Sequence, residues 1–173
     1  DGNVTFADQK LVINPLISSI TATSVTCAGG NDGSIVMEAS GGELPYSYAI
    51  NNGDYSSTAS FAGLVAGIYT AKIKDGTVCV ISEEIEVSQP DALQYTPPAD
   101  GMVATTTAES CFGANDGTIE VNGILSGGSG IYEFSVDNIN FSSNPITGLA
   151  AGEYEIFVQD SKGCRLPQVL NAT

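Results

Sequence analysis

The chain repeats itself, and each copy carries its own pair of cysteines. Cys27-Ala28-Gly29-Gly30-Asn31-Asp32-Gly33 returns as Cys111-Phe112-Gly113-Ala114-Asn115-Asp116-Gly117. Leu64-Val65-Ala66-Gly67-Ile68-Tyr69 returns as Leu149-Ala150-Ala151-Gly152-Glu153-Tyr154, and Asp75-Gly76-Thr77-Val78-Cys79 as Asp160-Ser161-Lys162-Gly163-Cys164. Cys27 lies 84 residues before Cys111, and Cys79 lies 85 before Cys164. A period of this length exceeds the 20–45 residues of a solenoid unit and suits a small domain with its own core. The 173 residues therefore read as two tandem modules.

Short, alternating, β-branched runs, broken by Gly, Asn, Asp and Ser every eight to twelve residues, predict an all-β sandwich or barrel. In the first module, strands are expected near 17–26, 34–40, 46–51, 55–62, 67–75 and 79–88. Alternation places Ile35, Met37 and Ala39 on one face, with Tyr46, Tyr48 and Ile50 together, and Tyr69, Ala71 and Ile73 together. The second module keeps these positions apolar as Ile119 and Val121, as Tyr132, Phe134 and Val136, and as Tyr154, Ile156 and Val158. Residues that stay apolar in both copies form the expected core, so the aromatics are structural and do not build a stacking platform.

The Leu-x-x-Gly-x-Tyr motif looks like a tyrosine corner, whose ring is buried and whose hydroxyl returns to nearby backbone. Tyr69, Tyr154, Gly67 and Gly152 are accordingly read as structural. Gly41-Gly42 and Gly127-Gly128 follow strands and suit turns with positive φ.

The expected modules span residues 16–90 and 104–173, joined by a semi-rigid linker at 91–103 that contains Pro97-Pro98. That connection is nine residues longer than its counterpart: Pro15 to Cys27 is 12, and Pro90 to Cys111 is 21. Residues 1–15 resemble a last hairpin and strand, since Asp1-Gly2-Asn3-Val4-Thr5 parallels Asp75-Gly76-Thr77-Val78-Cys79. They are expected to complete an upstream module or to insert into another subunit by strand addition. Asp1 is a poor initiator, which suggests a mature product or a fragment.

A module of about 70 residues buries a marginal core, and a disulfide compensates. Counting six antiparallel strands puts Cys27 and Cys79 at the same end of the sandwich, which favours the pairs Cys27–Cys79 and Cys111–Cys164. A seventh strand hidden within 52–66 would separate them and favour Cys27–Cys164 instead. Either pairing implies an oxidising compartment.

The formal net charge is −15, spread along the chain as −1, −6, −2 and −6 over residues 1–15, 16–90, 91–103 and 104–173. Nucleic acid needs clustered Lys and Arg, so it is excluded as a partner. No apolar run reaches the ~20 residues of a membrane span, so no membrane insertion is expected. The chain has no histidine, which removes the commonest general base and the usual hydrolytic triads. No phosphate-binding glycine loop occurs. The chain is read as non-enzymatic and without a cofactor. Asp32 and Asp116, in the Asn-Asp-Gly turns, could offer oxygen to calcium, but one such turn supplies too few ligands for the ion. Asp75 and Asp160, just past strand ends, carry the same ambiguity between metal ligand and turn anchor.

Cys-x-Gly-x-Asn-Asp-Gly, Gly-Gly-x-x-x-Tyr-x-Tyr (ending in Phe134 in the second copy), Leu-x-x-Gly-x-Tyr and Asp-x-x-x-Cys, in this order in both copies, resemble the SprB-type repeat of very large Bacteroidota surface adhesins, including the adhesin of gliding motility. The resemblance implies two immunoglobulin-like β-sandwich modules, a secreted or cell-surface location, and a part in adhesion or filament building. It brings no catalytic residues. The partners it implies are neighbouring modules or subunits and a surface or glycan target. The competing expectation is a carbohydrate-binding or accessory module of a secreted enzyme, which would call for exposed aromatics.

Overall fold

A computed structural model describes residues 14–172. Among these the chain is all-β, with fourteen strands and no helix. It divides into two compact units. Of the described residues, the first holds 14–23 with Ser34–Ala62 and Gly67–Val87; the second holds Ser24–Gly33, Gly63–Ala66 and 88–172. Two loops of the first repeat therefore belong to the second unit.

The first repeat has six strands: β1 (Ile17–Thr23), β2 (Gly33–Ser40), β3 (Ser47–Ile50), β4 (Ser60–Leu64), β5 (Gly67–Lys74) and β6 (Val80–Val87). They form two three-stranded sheets, ordered β1-β2-β4 and β3-β5-β6. Strand β1 lies antiparallel along all of β2, from Ile17 opposite Ser40 to Thr23 opposite Ser34. Period-two alternation decides what is buried. Ile35 and Met37 from one sheet, and Tyr48, Ala71, Ile73 and Val87 from the other, are out of water. Each large aliphatic side chain buried in this way contributes roughly 1.5–3 kcal/mol.

The second repeat has β7 (Gln94–Thr96), β8 (Ala104–Thr107), β9 (Gly117–Val121), β10 (Ile124–Ser126), β11 (Tyr132–Ser135), β12 (Ile146–Leu149), β13 (Tyr154–Asp160) and β14 (Leu170–Ala172). Its sheets are β12-β9-β8 and β11-β13-β14, with a two-stranded ladder of β7 and β10. Leu93, Ile119, Val121, Phe134, Ile146, Ile156, Val158 and Leu166 make one continuous core from the inner faces. The paired alternation read from the sequence thus delivers the two sandwiches.

Three expectations need correction. Residues 91–103 are not a linker throughout. Gln94–Thr96 pair with Ile124–Ser126, and Leu93 is buried in the second core. In the first repeat, β1 pairs with β2 without a break; in the second, the same ladder is split into β7–β10 and β8–β9. The nine extra residues are an excursion through Pro97-Pro98 and Gly101 between β7 and β8, where proline cannot donate to a ladder.

The second correction concerns strand count. Between β11 and β12 the chain turns back once, at an antiparallel bridge between Phe134 and Ser142, and then reverses again so that β12 runs antiparallel to β9. The first repeat has the same extra reversal at Tyr48 and Ser56, so 55–62 is not one strand.

The third correction follows from the second. Cys111 precedes β9, whereas Cys164 follows β13 at the turn whose Asp160 bonds Ser129, beyond the far end of β10. Roughly 25–30 Å of strand separates these ends, and a disulfide needs Cα atoms within about 7 Å. Cys27–Cys79 and Cys111–Cys164 do not form. Cys27 bonds Cys164, with Cα atoms 5.5 Å apart, and Cys79 and Cys111 are free and exposed.

The reading of 1–15 as a foreign strand falls largely on residues 1–13, outside the described residues. Asn14 and Pro15 belong with the first repeat: the Asn14 carbonyl accepts the Gly42 N–H at 3.0 Å, and its side-chain amide donates to the Gly42 carbonyl.

Candidate functional site

The chemistry-bearing residues sit in two recurring pieces, a hairpin turn anchored by aspartate and a loop that carries a cysteine. The hairpin turn is the better defined. Asp160 is buried; its Oδ1 accepts the N–H groups of Lys162 and Cys164, each at 2.9 Å, and its Oδ2 accepts Ser129 N–H at 2.8 Å. Asp75 does the same for Thr77 and Cys79, both at 2.9 Å, and for Glu43. One carboxylate thereby shapes the turn that presents the cysteine and ties it to the loop after the glycine pair. Burial opposes charge on both aspartates. The donors outweigh it and hold each carboxyl below the usual carboxylate range. These residues are turn anchors with their oxygens already engaged.

Sequence spacing did not show why the glycine pair is needed. Gly42 and Gly128 have φ of 58° and 59°, and a Cβ there would fall 2.6 Å and 2.5 Å from an oxygen of Asp75 and Asp160. A Cβ on Gly41 or Gly127 would meet the carbonyl of Pro15 or Ala92 at 2.0 and 2.1 Å. The tyrosine five residues on completes the cluster. Tyr132 donates its hydroxyl to the Gly127 carbonyl at 3.0 Å, as Tyr46 does to Gly41.

The cysteine loop is closed by the aspartate of Asn-Asp-Gly. Asp32 accepts the Thr26 N–H at 2.9 Å and the Thr26 hydroxyl, and Asp116 accepts the Ser110 N–H at 2.8 Å. The side chains of Thr26 and Ser110, aided by their N–H groups, lower the two carboxyls. A turn follows, with Gly30 N–H bonded to the Cys27 carbonyl and Ala114 N–H to the Cys111 carbonyl. The first loop is held further by Gln89, whose Oε1 accepts the Gly29 N–H at 2.9 Å, and by Val25 N–H on the Ser88 carbonyl. Asp32 and Asp116 thus act as loop closures. Among the described residues, no group of three His, Cys, Asp or Glu side chains is placed to hold a metal ion.

The expected tyrosine corner is present at Tyr154, whose hydroxyl donates to the Ala150 carbonyl at 2.9 Å. Tyr154 and Tyr69 are half-buried. Gly152 has room for a side chain, with the Tyr154 ring 3.7 Å from its Cβ position, and nothing lies within 4 Å of that position at Gly67. The sequence gives no hint of Tyr95, whose buried hydroxyl has no hydrogen-bond partner among the described residues and whose ionisation burial disfavours.

Within the second unit, Cys27 and Cys164 meet beside a cleft of about 310 Å³ lined by Ala28, Pro90, Leu93, Gly128, Arg165 and Pro167. A wider groove of about 920 Å³ opens beneath the tyrosine corner, between Thr107, Glu109, Gly117, Leu149, Ala151 and Tyr154. It gathers carboxylates and backbone and no nucleophile paired with a base. Its geometry suits a surface that packs.

A sequence model of the SprB repeat matches this chain twice, over residues 19–55 and 103–141. The resemblance to SprB-type repeats thus holds for both copies. The SprB repeat is a structural repeat associated with cell-surface adhesins and is not an enzyme family. No curated protein sequence matches the chain.

Proposed function

We propose that the chain is a non-catalytic, load-bearing stretch of a long extracellular adhesin or filament, in which sandwich repeats are stapled to one another by disulfides. The observation that carries this reading is the bond from Cys27 of the first repeat to Cys164 of the second. A disulfide inside one module stabilises that module alone. A bond from one repeat to the next removes chain length from the reach of an applied force. Here the bonded cysteines are 137 positions apart in the chain, a contour of roughly 450–490 Å at 3.3–3.6 Å per residue. The even negative charge fits the same role, since it keeps neighbouring fibres apart and soluble. A carbohydrate-binding role would favour a platform of exposed aromatics. Among the described residues Tyr55 is exposed but lies under the Lys74 ammonium, 4.4 Å from its ring centre, and Phe112 stands alone.

Two experiments test the reading. Antibodies to the chain should label intact, unpermeabilised cells that make the protein; labelling that needs lysis would end the cell-surface assignment. Single-molecule pulling should give an extension short by the contour above until reductant is added. Equal extension with and without reductant would remove the mechanical role.

A further inference from the structure

The second unit shows how one repeat receives another. Its members from the first repeat are the loops Ser24–Gly33 and Gly63–Ala66, and the bond from Cys27 to Cys164 lies within it. By the register of the repeat, the same two loops of the second repeat are residues 108–117 and 148–151. Ala108, Glu109 and Gly117 of the first and Leu149, Ala150 and Ala151 of the second line the 920 Å³ groove beneath Tyr154. Between Glu109 and Gly117, Cys111, the counterpart of bonded Cys27, is a free and exposed thiol. Phe112 stands where Ala28 lines the cleft at the formed bond, and its ring is fully exposed. In the first unit, Cys79 is the counterpart of Cys164 and is likewise free and exposed, flanked by exposed Val78 and Val80. Each free thiol thus stands next to uncovered apolar surface, and each has a bonded twin in the same chain.

We propose that the Cys111 loop and its groove receive a further repeat of the same kind, and that Cys111 forms a disulfide with the Asp-x-x-x-Cys hairpin which that repeat presents at the position of Cys79. Cys111 and the hairpin cysteine each give up a proton and an electron as the new S–S bond forms. A small-molecule disulfide such as oxidised glutathione takes them up and leaves as two thiols. The contact is head-to-tail, so it propagates as an open array. Like charge opposes the approach, so docking belongs at salt of about 0.15 M, where the screening length is about 8 Å. The inference rests on the reading of the chain as stapled repeats, but not on what the array adheres to.

A second copy of this chain serves as the partner. Cys79→Ser keeps only Cys111 free, and Cys111→Ser keeps only Cys79 free. Each variant alone, and the equimolar mixture, is incubated with oxidised glutathione and followed on non-reducing gels. The mixture should form dimer at least ~10-fold faster than either variant alone, and its linked peptides should contain Cys111 and Cys79. Phe112→Ser in the Cys79→Ser partner should slow that reaction several-fold while circular dichroism is unchanged. A mixture no faster than the separate variants overturns the proposal. So does an intramolecular Cys79–Cys111 bond in the unmodified chain. Either outcome would leave surface labelling and the pulling result untouched, so failure here is distinct from failure of the proposed function.

Discussion

Replacing Cys27 by Ser tests the staple with the least collateral damage, because Cys27 is only half-buried while Cys164 is buried. The bond closes a loop of 137 residues. In the chain-entropy treatment, −2.1 − 1.5R ln n for a loop of this size corresponds to about 5 kcal/mol at 25 °C. Measured disulfides commonly deliver 2–4 kcal/mol, so Cys27→Ser should lower the unfolding free energy by about 3–5 kcal/mol in urea titration. Cys79→Ser and Cys111→Ser remove exposed, unbonded thiols and should stay within about 0.5 kcal/mol of the parent. Reductant should bring the parent down to the level of Cys27→Ser and leave that variant unmoved. If Cys79→Ser costs as much as Cys27→Ser, the reasoning fails, because Cys79 would then be a bonding partner.

Four further substitutions probe the hairpin cluster and the cores. Gly128→Ala places a Cβ 2.5 Å from the Asp160 carboxylate and 2.3 Å from Leu93 at a positive φ, and should cost about 1–3 kcal/mol in thermal or urea unfolding; no change would deny the close approach. Asp160 has a depressed carboxyl, so the stability it supplies is complete above the unfolded value of about 3.9. That stability is lost as pH falls through the lower folded value. Asp160→Asn should therefore flatten the pH dependence of stability below about pH 4, and an unchanged acid limb would refute this. Tyr154→Phe should cost about 0.5–1.5 kcal/mol through loss of the bond to Ala150. Tyr95→Phe removes a buried hydroxyl without a partner among the described residues and should be neutral or stabilising; the reverse order would contradict both assignments.

The sandwich cores were legible because burial follows a period of two and the repeat supplies a second reading of every position. Ile35 and Met37, Ala71 and Ile73, Ile119, and Ile156 and Val158 are all buried as alternation requires. Tyr154 was legible for the same reason. What stayed hidden depends on partners distant in sequence. Tyr55-Ser56-Ser57-Thr58-Ala59-Ser60-Phe61 reads as one strand because no Gly or Pro marks the reversal near Ser56. That single missed turn moved the cysteines to the wrong ends and gave the wrong pairing. Pro97-Pro98 reads as a linker in sequence, yet it is an excursion within a strand whose other half, Gln94–Thr96, pairs 30 residues downstream. Gly42 and Asp75 lie 33 residues apart, and Gly128 and Asp160 lie 32 apart, so no local pattern joins them.

Tryptic mapping under non-reducing conditions tests the central claim most directly. The chain has five cleavage sites, after Lys10, Lys72, Lys74, Lys162 and Arg165. They leave Cys27 in residues 11–72, Cys79 and Cys111 together in 75–162, and Cys164 in 163–165. Disulfide bonding from repeat to repeat predicts that 11–72 is linked to 163–165 alone, with 75–162 carrying two thiols open to alkylation. Peptides 11–72, 75–162 and 163–165 joined in one three-membered cluster would mean that each repeat is closed on itself, and would contradict the account.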